Sequence, residues 1–77
     1  MEEYRRLREM IGDIFSMDAE EVTPELFFEE DLGADSLDLQ ELLFMLEEEF
    51  DVTKKEAKRL AEMKTVGEVA DFLRQRR

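Results

Sequence analysis

Hydrophobic residues along this chain recur at intervals of three and four, the spacing that places them on one face of an α-helix. The pattern predicts helices over about Glu2–Phe15, Ser36–Phe50, Lys54–Met63 and Val66–Gln75. No segment alternates between apolar and polar residues as a strand does. We therefore predict an all-α fold. It is a small four-helix bundle with three main helices, one short third helix and a long loop after the first helix, and residues 1–77 form a single domain.

Capping and anchoring signals lie between the predicted helices. Thr65, with Glu68 three residues later, forms a capping-box pattern at the start of the last helix. Thr23 before Pro24 indicates a capped single turn, with Pro24 at the first helical position, where its missing N–H costs nothing. The long connection over residues 16–34 needs apolar anchors of its own. The candidates are Val22, Leu26, Phe27, Phe28 and Leu32.

The chain is acidic, with a formal net charge of −11, and its charges are segregated along the sequence. Between Glu9 and Thr53 lie 16 of the 22 acidic residues and no Lys or Arg. A field of this sign repels nucleic acid and anionic lipid and attracts basic protein surfaces. Solubility alone explains an acidic surface, but the segregation favours a protein partner. We expect a monomer that binds neither nucleic acid nor membranes.

The residue types that are missing exclude several classes of site. There is no cysteine and no histidine, so the chain lacks the usual general base, the commonest metal ligand and any disulfide framework. No nucleophile and base can be assembled, and an enzyme is the least favoured class. The first residues mix both charge signs without an apolar run, which predicts no signal peptide. We expect a cytoplasmic protein, or one of a plastid or mitochondrion after processing.

The segment of residues 31–38, Asp-Leu-Gly-Ala-Asp-Ser-Leu-Asp, carries the candidate chemistry. If Asp35 is the N-cap of the second helix, Asp38 falls at the third helical position, where an acid suits the helix dipole. Ser36 then lies in the first turn with its hydroxyl facing solvent, next to a helix N-terminus that favours phosphate. For an isolated Asp-Ser-Leu the alternative is a serine that merely caps the helix.

The second helix has apolar residues on two opposite sides. Leu42 and Leu46 lie on the side that must face the core. Leu37 and Phe44 fall almost opposite, among carboxylates. Exposed apolar residues surrounded by charge are typical of a site that contacts another protein. The alternative is that Phe44 folds back onto a loop or onto the last helix.

Together these residues closely resemble the acyl carrier proteins of bacterial and organellar fatty acid synthesis. The resemblance covers essentially the whole chain and depends first on segment 31–38. It extends to Glu41-Leu42, residues 46–50 (Leu-Glu-Glu-Glu-Phe), Thr23-Pro24 with Phe28, and Thr65-Val66-Gly67. It implies the acyl-carrier four-helix bundle and a carrier that is not an enzyme.

The resemblance implies that Ser36 accepts 4′-phosphopantetheine from coenzyme A and that the thiol of this arm holds acyl groups as thioesters. It implies partners with basic docking patches, namely a phosphopantetheinyl transferase and the acyl-transfer and synthase enzymes of fatty acid synthesis or of a related specialised lipid or polyketide pathway. The implied partner-binding residues are Asp35, Leu37, Asp38, Gln40, Glu41, Phe44, Glu47 and Glu48. The implied acyl-chain pocket contains Leu42, Leu46 and Leu60.

The chain also departs from the family pattern. Its third helix carries Lys54, Lys55, Lys58 and Arg59, where the family is mostly acidic. This difference favours a specialised or divergent member over a housekeeping one. Gly-Ala-Asp precedes the serine, whereas peptidyl and aminoacyl carriers usually have Gly-Gly followed by His or Asp, so that class is less favoured.

Two alternatives outside the carrier class stay open. An acidic helical interaction module would bind a basic protein partner without any prosthetic group, and it shares every feature except the need for Ser36. A calcium-binding loop fits poorly, because a loop starting at Asp31 has Ser36 where the calcium motif needs Gly and Leu42 where it needs Glu.

Overall fold

Four α-helices form most of the chain in the computed structural model, which describes residues 2–76. They are α1 (Glu2–Phe15), α2 (Ser36–Phe50), α3 (Lys54–Ala61) and α4 (Val66–Gln75). The predicted all-α class is confirmed, and the bounds of α1, α2 and α4 agree with the sequence pattern. Helix α3 ends two residues earlier than predicted, because the N–H groups of Glu62 and Met63 bond three residues back, to Arg59 and Leu60, and tighten the chain into a turn.

The core lies where α1, α2 and α4 meet, and α3 packs against α2. Each helix contributes the apolar residues of one face, as the three-and-four spacing predicts. The fully buried side chains of the three longer helices include Leu7, Met10, Ile11, Leu46, Val66 and Leu73. Helix α3 contributes one buried residue, Leu60. It is therefore the helix held by the least apolar burial.

Backbone hydrogen bonds tie the loop between α1 and α2 to the start of α4. Three N–H groups donate across this junction: Phe28 to the carbonyl of Lys64 at 2.9 Å, Val66 to Leu26 at 3.0 Å and Gly67 to Pro24 at 2.9 Å. Gly67 permits this close approach, since a Cβ atom at that position would lie 3.0 Å from the Pro24 carbonyl oxygen. The loop is thus an ordered wall of the bundle.

The loop differs in part from the sequence prediction. Val22 and Phe28 are buried as expected, and Leu26 and Leu32 pack partly against the core. Phe27 does not anchor the loop, because 42% of it stays exposed.

Pro24 does not start a helical turn either. It lies in a turn closed by the Leu26 N–H and the Thr23 carbonyl at 3.3 Å. The helical turn of this loop is a short 3₁₀ segment at Ala19–Glu21. The Asp18 N–H donates to the Glu21 carboxylate at 3.1 Å there, a capping pattern that the sequence analysis missed.

The capping box expected at α4 is confirmed. The Thr65 hydroxyl accepts from the N–H of Glu68 at 3.2 Å, and the Glu68 carboxylate accepts from the N–H of Thr65 at 3.0 Å. Thr53 and Glu56 form the same arrangement at the start of α3. Each box satisfies N–H groups that have no partner within the helix.

Arg76 joins the end of α4 to the ends of α2 and α3. Its guanidinium donates to the carbonyls of Phe50 at 2.9 Å and Asp51 at 3.3 Å, and to the Glu56 carboxylate at 3.1 Å. The hydrogen bond from Arg76, followed by that from the backbone N–H of Thr53, lowers the pKa of Glu56 from 4.5 to about 2. The contact supplies partners for carbonyls that the end of α2 leaves free.

We expect Arg76→Met to lower the thermal midpoint most at near-neutral pH. A depressed carboxyl pKa contributes stability above its unfolded value of 4.5, and this stability is lost as the pH falls toward about 2. The difference in thermal midpoint between wild type and variant should therefore narrow as the pH falls from 4.5 toward about 2. It should not vanish, because the bonds to Phe50 and Asp51 do not titrate.

Thermal melts followed by circular dichroism across this pH range test the expectation. Arg74→Met is the matched control, since Arg74 lies in the last turn of α4, two residues before Arg76, and among residues 2–76 its ion pair is with the exposed Asp71. A difference that stays constant with pH would contradict the role given to the Arg76–Glu56 pair.

Candidate functional site

The approach to Ser36 is fixed by the last residues of the loop. Gly33 has a φ of 67°, a left-handed conformation that glycine adopts without strain. The next residue, Ala34, is buried, and its N–H donates to the Phe28 carbonyl at 2.8 Å. This bond holds the end of the loop against the core and sets the position of the first turn of α2.

Asp35 caps α2, as the sequence predicts. Its carboxylate accepts from the N–H of Asp38 at 3.0 Å, and the Asp38 carboxylate accepts from the N–H of Asp35 at 3.3 Å. Ser36 is the first residue of the helix, is exposed, and takes no part in this cap. The alternative in which Ser36 merely caps the helix is therefore wrong, and its hydroxyl is accessible for chemistry.

An apolar cavity of about 300 Å³ opens beside Ser36, between α2 and α3. Ser36 and Gln40, both exposed, line its outer edge. The three residues predicted for an acyl-chain pocket, Leu42, Leu46 and Leu60, all line it. The remaining lining residues are Phe28, Leu39, Leu43, Ala61, Met63 and Val69. The arrangement can hold a flexible apolar chain whose polar end is attached at the edge.

The surface predicted to contact partners lies on the side of α2 opposite the core and extends at Gln40 to the edge of the cavity. Leu37 is 73% exposed and Phe44 60% exposed, so Phe44 does not fold back onto the bundle. The other predicted members also reach the surface. Asp35, Gln40, Glu41 and Glu48 are exposed, and Asp38 and Glu47 are half-buried. We call these eight residues the α2 outer face.

Within residues 2–76, no carboxylate of the α2 outer face forms an ion pair with a basic side chain. Among residues 2–76, the acid of α2 that forms an ion pair is Glu49, which contacts Arg6 of α1 at 3.1 Å and lies outside this face. The negative charge of the outer face is thus not neutralised within the described chain. A surface of this kind attracts a basic protein surface.

Part of the cavity lining was not predicted from the sequence. Phe28 was expected as a loop anchor, and it also forms part of the wall. Leu39 and Leu43 lie three residues before Leu42 and Leu46, and this helical spacing indicates that they share the cavity-lining side of α2. Met63 lies three residues after Leu60, on the apolar side of the predicted third helix, and the turn after α3 places it at the cavity.

Neither a metal site nor a membrane-spanning segment is found in the described part of the chain. No group of three or more metal-ligating side chains is brought together among residues 2–76. No helix in the same range is long and apolar enough to cross a bilayer.

Three comparisons relate the chain to known proteins. Residues 5–73 match the family model described as a phosphopantetheine attachment site. An acyl carrier protein from Thermosynechococcus vestitus is 46% identical over 70 residues, which cover 88% of this chain and 83% of that protein. A solved structure of an acyl carrier protein from Enterococcus faecalis has a TM-score of 0.69 at 30% identity, covering 94% of this chain and 90% of that one.

We expect Asp35→Ala to destabilise the protein by about 1 kcal/mol, the usual cost of losing an N-cap. Asp35→Asn should stay close to wild type, because an asparagine oxygen caps about as well. Urea unfolding of both variants measures the difference. Equal stabilities would show that the Asp35–Asp38 cap does not hold the start of α2.

Proposed function

The chain belongs to the acyl carrier protein family, and from that membership we propose that Ser36 is the residue that carries its 4′-phosphopantetheine arm. Members of this family are carriers and not enzymes. The observation that carries the proposal is the position of Ser36. Its exposed hydroxyl lies outside the capping box and at the edge of the apolar cavity.

The residues around Ser36 fit this group. The first turn of α2 leaves backbone N–H groups without intrahelical partners, and Asp35 occupies one of them. The remaining N–H groups, together with the positive end of the helix dipole, would favour a phosphate attached to Ser36. When bound, the arm supplies a thiol that holds acyl groups as thioesters. The chain has no thiol of its own, because it contains no cysteine.

Attachment requires one bond to form and one to break. The Ser36 Oγ forms a bond to phosphorus, the phosphoanhydride bond of coenzyme A breaks, and the adenosine bisphosphate leaves. The hydroxyl proton must pass to a base of the transferase, because the chain has no histidine and the carboxylates of Asp35 and Asp38 hold backbone N–H groups. This chain contributes the acceptor hydroxyl and its placement.

We assign the acyl chain to the cavity lined by Leu42, Leu46 and Leu60. Each methylene removed from water contributes about 0.8 kcal/mol. A chain inside the cavity would also be shielded from water, which protects its thioester. The edge position of Ser36 supports the assignment, because an arm attached there starts beside the opening.

We assign partner binding to the α2 outer face. Its unpaired carboxylates fit the basic docking patches of a phosphopantetheinyl transferase and of acyl-transfer and synthase enzymes. Leu37 and Phe44 are exposed apolar residues that a docked partner would bury in the apolar core of the interface. These enzymes belong to fatty acid synthesis or to a related specialised lipid or polyketide pathway, and the basic α3 favours the specialised one.

The chemistry of the arm also indicates where the carrier works. A free thiol persists in a reducing compartment, and the absence of cysteine from the chain agrees with one. We therefore propose a cytoplasmic carrier. A net charge of −11 on each copy opposes self-association, which supports a monomer.

We expect Ser36→Ala to abolish loading of the arm. Incubation with coenzyme A and a broad-specificity phosphopantetheinyl transferase should add the mass of one phosphopantetheine to wild type and nothing to the variant. Intact-protein mass spectrometry measures the gain.

The matched control is Ser16→Gly, which removes the other serine of the chain. Ser16 has a φ of 58° at the end of α1, so glycine suits its conformation. This variant should load like wild type. Loading of Ser36→Ala, or none in wild type with several transferases, would overturn the assignment and leave the acidic interaction module.

We expect an acyl chain on the arm to raise the thermal midpoint of wild type, because it fills the cavity between α2 and α3. Ala61→Trp should reduce this gain, since Ala61 is exposed and lines the cavity, so an indole ring there competes for the space. Thermal melts of octanoylated and unacylated holo-protein measure the gain for each variant.

Glu62→Trp provides the control, because Glu62 is the exposed neighbour of Ala61 and does not line this cavity. It should keep the wild-type gain. An equal gain in all three proteins would place the acyl chain elsewhere.

A further inference from the structure

Helix α3 presents a positive surface on an otherwise acidic protein. Lys54, Lys55, Lys58 and Arg59 are all exposed and lie on the side of α3 that faces away from Leu60. We call these four residues the α3 basic face. At 1.5 Å per residue the helix is about 12 Å long, so the four charges are close together.

The lysines of this face do not serve to neutralise the acidic residues of the chain. Within residues 2–76, none of Lys54, Lys55 and Lys58 forms an ion pair. Of the five arginines elsewhere in residues 2–76, Arg8 donates to the Ala19 carbonyl at 2.9 Å, and the other four behave differently from the lysines. Arg5, Arg6, Arg74 and Arg76 each contact a carboxylate. If the only role of these lysines were to reduce repulsion among the carboxylates, we would expect them to form ion pairs of the same kind.

Two of these lysines also oppose the local preference of the helix. Lys54 and Lys55 are the first two residues of α3, where the positive end of the helix dipole favours acids. A base there is destabilising. Violations of local preference are expected at functional positions, where another requirement decides the residue.

The α3 basic face lies where a docked partner can contact it. Helix α3 packs against α2, and its residues Leu60 and Ala61 line the cavity that opens beside Ser36. An enzyme that binds the α2 outer face and receives cargo from the arm on Ser36 therefore approaches α3 as well.

We propose that the α3 basic face is a second docking element, which the partner enzyme contacts with an acidic strip located beside the basic patch that contacts α2. This inference rests on the proposed carrier function and specifies the partner. A uniformly basic docking surface would be repelled by α3. A partner that presents bases to α2 and acids to α3 would be attracted at both helices. The same charges on α3 would repel enzymes whose docking surface is basic throughout, such as those that serve uniformly acidic carriers.

Other occupants of the basic face fit the charges less well. A membrane or a nucleic acid is an extended polyanion, and it would be repelled by the remainder of a protein with a net charge of −11. A second copy would bring the same net charge. A protein surface can place carboxylates opposite α3 and bases opposite α2 at the same time.

The test measures how charge reversal on α3 changes affinity for the partner. The probe is the enzyme that binds this chain most tightly in a purified panel of the phosphopantetheinyl transferase, acyltransferases and condensing enzymes of the source organism. We expect Lys54→Glu/Lys55→Glu to raise its Kd by about tenfold at low ionic strength, and by less as salt is added. Acids suit the first turn of a helix, so α3 should form normally, which circular dichroism verifies.

The control is Arg5→Glu/Arg74→Glu, which changes the net charge by the same amount at two exposed positions outside α3. Its Kd should stay unchanged or fall, because added negative charge outside α3 favours the basic patch of the partner. A rise equal to that of the α3 variant would show that the position on α3 does not matter and would overturn the proposal.

The sign of the α3 effect discriminates between partners. An unchanged or lower Kd for Lys54→Glu/Lys55→Glu would show that the best partner does not present acids to α3. Binding of wild type to phosphatidylglycerol vesicles, lost in the variant, would assign the face to a lipid surface instead. The Kd is also measured on protein that carries no arm. The docking test therefore does not depend on loading of Ser36, and a failure of loading overturns only the carrier assignment.

Discussion

The backbone hydrogen bonds between the long loop and the start of α4 are the constraint on which the site depends. Ordering each residue of a loop costs about 1–2 kcal/mol of conformational entropy, and this loop has few buried side chains to offset that cost. The N–H of Phe28 bonds to Lys64 and the carbonyl of Phe28 accepts from Ala34. One buried aromatic residue thus connects α4, the loop and the start of α2, and it determines where Ser36 lies relative to the cavity.

The helices, and the exposed position of Ser36 in the first turn of α2, could be predicted from the sequence because their signals are local. Capping boxes at Asp35 and Thr65, together with the three-and-four spacing, place α2 and α4 at the bounds that the structure has. The exposure of Leu37 and Phe44 follows from helical geometry once the core side of α2 is known. The lining of the cavity by Leu42, Leu46 and Leu60 was implied by the family resemblance.

Features that depend on distant parts of the chain could not be predicted in the same way. Phe27 and Phe28 are equally apolar, and only their position opposite Lys64 and Thr65 decides which one is buried. The Arg76 contacts join residues that are 20 and 26 positions apart in sequence. A basic residue near a helix end suggests interaction with its own dipole, whereas Arg76 bonds to the end of α2.

We assign storage of cargo to one face of α2 and recognition by partners to the other. Leu42 and Leu46 form one side of the cavity, and α3, which has one buried residue, forms another. Helix α3 has fewer buried residues than any of the longer helices, so it is the wall held by the least apolar burial. A partner that attracts the α3 basic face while it binds α2 acts on that wall directly. Charge on α3 would then influence both the choice of enzyme and the release of the acyl chain to it.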